Sequence, residues 1–566
     1  MVEKTKYRIF LIGDSATQFI VKSLRRNVKD LPYDVDIYEA DYNQIELQIL
    51  DNGSDLYNYK PDTVIVIQSA QNLLHKFYKL QGNERKTFAE SEIKQIEQNI
   101  ILLSSIPNVK IIWSNYTETD DGIFGNFANK INTSFIYQLR SINVGLMNLA
   151  GTYHNLFIND LSMLQNRYGM AHYFDERFYV NAGMTVGVEM SSCVARNLYD
   201  IISAISGKTK KCLILDLDNT IWGGVIGDDG IENIQLGELG IGKVFVEIQL
   251  WAKELKERGI ILAVCSKNNE EIAKESFGKH PDMVLGLKDI AVFVANWETK
   301  VDNIFYIQSI LNIGFDSMVF IDDNPFERNQ VRESIPEITV PELPEDPAEF
   351  LSYLRKCNLF ETAVLSENDQ KRTEQYQIEA KRKEIQKTYS DEDDFLKSLM
   401  MVSEVKSFDK YTIPRVAQLT QRSNQFNLRT KRYSEEDIRR IAESDKYVTL
   451  SFTLTDIYGD NGLISAIILE KLTDGLFVDT WIMSCRVLKR GMENFVLNCI
   501  VETALKLNIN KIIGEYIPTT KNELVKDHYL NLGFNKINGL WTLNIIDCKK
   551  KETLIKKDLI TDGNNK

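Results

Sequence analysis

The chain has little to cross a membrane with and little to staple itself with. None of its apolar runs reaches the ~18 residues a membrane span needs, so a transmembrane protein is not expected. The apolar run in its opening MVEKTKYRIFLIGDS is too short for a signal core and reads as a first strand. Cysteine is sparse: seven residues in 566, with no C-x-x-C pair and no zinc spacing. An odd, scattered set fits a reducing compartment and a cytoplasmic location. Positive charge is in deficit too. The formal net charge of −13 argues against a nucleic-acid partner. Prolines number eleven, and four of them crowd into PEITVPELPEDPAEF from residue 336, which reads as an extended surface connection. No internal repeat stands out.

What is present is alternation. Residues 1–206 carry the short apolar runs YRIFLIG, DVDIYEA, TVIVIQSA, VKIIWSN and NLFIND, separated by amphipathic stretches such as EIKQIEQNIILLSSI. That pattern predicts an α/β domain with a mostly parallel sheet. Residues 207–345 alternate again, through CLILDLD, IILAVCS, AVFVANW and SMVFIDD, each ending on a polar residue. Parallel α/β sheets bind ligands beyond the carboxyl ends of their strands, so this domain offers a candidate site. Residues 346–397 read as a linker followed by a charged, solvated helix, with Ser366 and Asp369 as its capping box. Residues 398–550 mix strands and helices with DNG and DG turns, which predicts an α+β domain with an antiparallel sheet. Residues 551–566 read as a polar, frayed tail.

The chemistry concentrates in 207–345. Asp216 and Asp218 end a buried strand, one residue apart, followed by Thr220. Positions i and i+2 of a strand share a face. Two desolvated carboxylates there repel, at roughly 4 Å by about 4 kcal/mol at an effective dielectric near 20. A hard cation such as Mg²⁺ offsets that cost. Further along come Ser266 at the end of IILAVCS, Lys300 in NWETKVDN, and Asp322–Asp323 at the end of MVFIDD.

These four elements in order resemble the haloacid dehalogenase (HAD) superfamily of phosphoryl-transfer enzymes. The resemblance implies roles. Asp216 would attack phosphorus and form an aspartyl-phosphate, and Asp218 would serve as acid and then base. Mg²⁺ would be held by Asp216, Asp218 (through its main-chain carbonyl), Asp322 and Asp323. Thr220, Ser266, Lys267, Asn268 and Lys300 would bind the phosphate, with Ser266 and Lys300 counted as catalytic. From Thr220 to Ser266 is 46 residues and from Ser266 to Lys300 is 34. Neither gap holds a large cap domain, so the site is expected to be open to a large substrate unless another domain covers it.

The local words LDLDNTIWGGVIGDDG, CSKNN, NWETKVDNI, FIDDNPFERNQV and TWIMSCRVLKRGME look like the FkbH-like branch, HAD subfamily IIIC. That resemblance implies a phosphatase acting on a phosphorylated small molecule. It also implies a second possibility: a three-carbon glyceryl unit loaded onto an acyl carrier protein from 1,3-bisphosphoglycerate. A non-catalytic scaffold is the reading from a different class. Cys265, beside Ser266, is a candidate acyl carrier, although adjacent strand residues face opposite sides; Cys485 is a weaker one.

IGDSATQ at residues 12–18 resembles the first block of SGNH hydrolases, with Ser15 as nucleophile. FDERFYVNAGMTV offers Asp175 without a following histidine, and His154 and His172 lie off the motif's spacing, so the domain reads as degenerate. Otherwise GDS is a strand-to-helix turn capped by Asp14 or Ser15. The C-terminal region is similar to N-acetyltransferases. Its pyrophosphate loop would run from Arg486 through Lys489 and Arg490 to Gly491, with Lys489 standing where the family has glycine.

Overall fold

The structure, a computed structural model, describes residues 5–364, 372–386, 388–423, 425–484, 487–519 and 521–558. It divides into two compact units, 1–206 and 207–566.

In the first unit five strands, β1 (Lys6–Gly13), β2 (Asp34–Glu39), β3 (Thr63–Ile67), β4 (Lys110–Ser114) and β5 (Leu156–Asn159), form one parallel sheet ordered β2-β1-β3-β4-β5. β3 is TVIVI and every residue is buried, as expected for a central parallel strand covered on both faces.

The second unit opens with β6 (Cys212–Leu215), β7 (Ile261–Ser266), β8 (Ile290–Ala295) and β9 (Met318–Ile321), all parallel and ordered β8-β7-β6-β9. The two-residue side-chain period divides these strands between two apolar layers. Leu213, Leu215, Leu262 and Val264 pack toward helix Gly242–Glu257 through Phe245, Ile248 and Ala252. Cys212, Ile214, Ile261, Ala263 and Cys265 pack toward helix Lys300–Leu311 through Ile304, Ile307 and Ile310.

The stretch 346–397 departs from expectation. Its described residues are neither an extended linker nor a solvated helix. Helix Phe350–Cys357 buries Phe350, Leu351 and Leu354 in the first of those layers. Helix Arg372–Gln386 sets Tyr376 and Ala380 into the second. Charge density suggested an exposed face, but two of those charges are buried with partners. Arg382 pairs with Asp456 at 2.8 Å and with Glu379 at 3.0 Å, and Arg490 reaches Glu379 at 2.6 Å and Asp456 at 3.4 Å. This net-neutral set ties the helix to the C-terminal module. The Ser366–Asp369 capping box lies outside the described residues.

The C-terminal module is built on antiparallel strands Tyr447–Asp456, Gly459–Leu472 and Gly475–Met483, with Lys511–Gly514 parallel beside the last of them. The tail is not frayed as far as Asp558. Lys556–Lys557 pairs with Val402–Ser403, and Ile555 is buried in the core. Among the described residues no helix is long and apolar enough to cross a membrane.

His528 sits in this core against Trp481, ring centroids 4.5 Å apart, and Phe426, 5.0 Å. Burial pushes its pKa down to about 3. The unfolded chain therefore takes up a proton near 6.5 that the folded chain refuses. Stability is whole above pH 6.5 and falls as pH drops below it, by about 1.4 kcal/mol per unit. Urea unfolding at pH 6.5 and pH 5 should show this slope reduced in His528→Phe. An identical slope in both proteins would remove His528 from the account.

Candidate functional site

The acidic residues meet where the strands of the second sheet end. Asp216 follows β6, its backbone N–H donating to Ile321 O across the sheet at 3.0 Å. Asp322 and Asp323 follow β9, the neighbouring strand. Asp216, Asp322 and Asp323 each bring one carboxylate oxygen to within 4.8 Å of the others, and Asp216 and Asp322 are buried. One ammonium serves them. Lys300 Nζ lies 2.9 Å from Asp216 Oδ2 and also contacts Asp322 Oδ2, and Lys300 is only 3% exposed.

Electrostatics shows the mismatch. Burial raises the pKa of Asp322, and the charge of Asp216 raises it further. Asp323 is pushed up to about 6 by the same two causes in the same order. Burial acts against the charge on Lys300, yet Asp216 and Asp322 outweigh it and hold the ammonium protonated. Three acids to one lysine leave negative charge uncompensated. Hard oxygen donors so arranged fit a hard divalent cation.

Thr220 Oγ1 accepts from Asp323 N at 3.1 Å, so this hydroxyl supports the acidic turn. Asp322 Oδ1 accepts from Asn324 N at 2.8 Å. Beneath the turn Arg328 donates through Nη1 to the carbonyls of Asp322 (2.8 Å) and Asp323 (2.6 Å).

The Asp218 carboxyl, expected to act as acid and base while only the main-chain carbonyl serves the metal, is bound apart from the three clustered acids. Oδ1 accepts from Trp222 Nε1 at 2.8 Å and from Ile226 N at 3.1 Å, and Oδ2 accepts from Asn268 Nδ2 at 2.9 Å. Asn219 in the left-handed region (φ 53°) makes the tight turn that returns Trp222 to Asp218, a conformation asparagine tolerates. Burial raises the pKa of Asp218, which suits a proton carrier better than a ligand. Asn268 also donates to Ser266 Oγ at 3.2 Å, linking two candidate site residues.

Three other expectations are corrected. Lys267 is committed to Glu327 at 2.6 Å, so its charge is spent within the protein and not held free for a phosphate. Cys265 is buried in the layer of helix Lys300–Leu311, Sγ donating to Lys300 O at 3.7 Å, and burial raises its pKa. The strand period turns it away from the Ser266 side. In the first unit neither Asp14 nor Ser15 caps the helix after β1: its N-cap is Thr17, and Asp14 accepts from Ser69 N at 2.9 Å. Ser15 Oγ accepts from Thr185 Oγ1 at 2.9 Å, a hydroxyl and not a base. Asp175 caps helix Glu176–Ala182 and pairs with Arg177 at 3.0 Å. Arg486 and Cys485 lie outside the described residues. Lys489 adopts φ 64°, the conformation glycine favours, and Arg490 is held in the buried ion network.

Sequence reasoning missed Trp222, Glu327 and Arg328. For Glu327 and Arg328 the signal lay in FIDDNPFERNQV, where a Glu-Arg pair falls one helical turn beyond the two acids.

Fold and site together define a multidomain α/β protein with an acidic pocket built for a hard cation at the carboxyl end of a parallel sheet. Residues 8–203 match the family described as FkbH, N-terminal domain. A solved structure, the N-terminal part of the protein BF1531 from Bacteroides fragilis, is 50% identical. It covers 64% of this chain and 95% of its own, with a TM-score of 0.62. That protein contains a phosphatase domain and is complexed with Mg. The chain belongs to the FkbH/HAD-like family. An N-acetyltransferase from Staphylococcus aureus is 14% identical over 26% of this chain and 99% of its own, TM-score 0.20. A lipase from a goat rumen metagenome is 12% identical over 34% and 95%, TM-score 0.26. No curated protein matches the chain.

Crowded carboxylates give a test that needs no substrate. Asp323→Asn removes one of three mutually repelling charges, so with chelator present its Tm should exceed that of the wild type, the gain being about 1–2 kcal/mol. Added Mg²⁺ should raise the wild-type Tm and leave the variant nearly unmoved. A variant less stable than wild type in chelator would contradict the repulsion.

Proposed function

We propose that the chain is a Mg²⁺-dependent phosphatase of the HAD type, subfamily IIIC, working through an aspartyl-phosphate on Asp216. The observation that carries this reading is the division of labour between two neighbouring carboxylates. Asp216 shares Lys300 with Asp322. Asp218, two residues on, is held separately by Trp222, Ile226 and Asn268. Such a split separates a nucleophile from an acid–base group.

Asp216, Asp322 and Asp323 would hold the Mg²⁺, with the main-chain carbonyl of Asp218 as a further ligand. When bound, the ion supplies positive charge against which phosphoryl oxygens and carboxylates can approach. The remaining steps belong to the chain. A carboxylate oxygen of Asp216 attacks phosphorus and the bond to the leaving oxygen breaks. Asp218 delivers its proton to that oxygen. Asp218 then takes a proton from water, whose oxygen attacks the phosphoryl group and frees Asp216. Lys300 keeps its charge through the cycle and steadies the anionic oxygens, and Ser266 donates to one of them.

Hydrolysis is favoured over acyl transfer through Cys265, because that thiol faces the other apolar layer. A phosphorylated small molecule or a carrier-borne phosphate both suit a site whose strand-end loops have no inserted cap domain.

Asp216→Asn should lower kcat on an aryl phosphate by about 10³-fold or more, with an unchanged far-UV spectrum, and EDTA should abolish wild-type turnover until Mg²⁺ is restored. Near wild-type turnover by Asp216→Asn would end the proposal.

A further inference from the structure

The loop that follows β7, Ser266–Lys267–Asn268, is tied to the ends of two other strands. Lys267 Nζ binds Glu327 Oε1 at 2.6 Å, in the first turn of helix Pro325–Ser334 beyond β9. Arg328, next to Glu327, holds that helix start against the carbonyls of Asp322 and Asp323. Asn268 Nδ2 donates to Asp218 Oδ2 at 2.9 Å, just beyond β6, and to Ser266 Oγ at 3.2 Å. Asn268 and Ser266 are both buried, so a donor lost here is not replaced by bulk water.

Hydrogen-bond capacity then sets direction. An amide nitrogen carries two N–H donors, and the two contacts of Asn268 Nδ2 use both. None remains for a phosphoryl oxygen. Ser266 Oγ, having accepted from Asn268, keeps its own O–H to donate. A carboxylate oxygen has about two acceptor sites. On Asp218 Oδ1 both are filled, by Trp222 Nε1 at 2.8 Å and Ile226 N at 3.1 Å. On Oδ2 Asn268 fills one and leaves the other open.

Resting on the phosphatase reading, we infer that Asn268 is a positioning residue for phosphoryl transfer, not a phosphate ligand. Its amide leaves the Ser266 O–H to a phosphoryl oxygen and presents Asp218 Oδ2 as the oxygen that protonates the leaving group. In that step Asp216 bonds to phosphorus and the phosphorus–oxygen bond of the leaving group breaks. The leaving oxygen takes the proton from Oδ2, whose O–H bond breaks in turn. Oδ1 cannot serve, because both of its sites face N–H donors. Asn268 acts through these two groups, and Lys267 on Glu327 keeps the loop that carries it in place.

The test compares p-nitrophenyl phosphate, whose leaving oxygen departs without a proton, with phenyl phosphate, whose leaving oxygen is more basic and needs one. Both carry the same phosphoryl group. On the full chain with Mg²⁺, Asn268→Leu keeps much of the side chain's shape and removes both donors. Its kcat/KM should fall for both esters, through Ser266, and fall about tenfold or more further for phenyl phosphate, through Asp218. Equal falls, or none, would overturn the inference, because a lost phosphate contact or a loosened fold acts on both esters alike. Asn268→Ser, one atom shorter, is read by the same ratio should the leucine variant fail to fold. A further arm adds Asp218→Asn. In that background Asn268→Leu should no longer separate the two esters, and a separation that persists would also overturn the inference. Wild-type protein that turns over neither ester ends the phosphatase reading and the positioning role with it. Wild-type turnover with equal falls in the variants ends the positioning role alone.

Discussion

Three crowded carboxylates, two of them bridged by one buried lysine, are the constraint around which the second unit is arranged. Asp216, Asp322 and Asp323 place oxygens within 4.8 Å of one another. At that distance and an effective dielectric near 20, each charged pair repels by about 3.5 kcal/mol. Only a fold that fixes the ends of β6 and β9 side by side can hold such a set. The central sheet, buried on both faces, fixes them. Lys300 belongs to the constraint: its ammonium contacts two of the acids, Asp216 and Asp322, and offsets part of their repulsion.

The layers around the sheet serve that geometry. Helix Lys300–Leu311 begins with the lysine and buries its isoleucines against Ile214, Ala263 and Cys265. Lys300 thus takes its position from packing and not from a mobile loop. Helix Arg372–Gln386 covers the same layer and is joined to the C-terminal module by two arginines and two carboxylates, all buried. A buried ion network of this kind adds little net stability, but breaking one partner leaves an uncompensated charge. It therefore specifies how the C-terminal module docks, and it draws Arg490 away from the role its loop suggested.

In the first unit Ser15, in the Gly-Asp-Ser turn after β1, bonds the Thr185 hydroxyl, and Asp175 is engaged by a helix cap and by Arg177. Function resides in the site and not in the architecture.

Much of this was legible in the chain alone. The nine strands of the two parallel sheets could be read from short apolar runs, and the four motif positions from the polar residues that end them. Both signals are local: backbone period and strand-end chemistry depend on neighbours in sequence. What the sequence could not disclose were partnerships between distant residues. That Asp218 turns to Trp222 and Asn268, that Lys267 is taken by Glu327, that Cys265 faces the far layer, and that a highly charged helix is half buried are each decided by which surfaces meet. The sequence determined which groups were available at the strand ends. Tertiary packing decided which of them remained uncommitted, because a charge is defined by the dielectric and the counter-charges that surround it once the chain has closed.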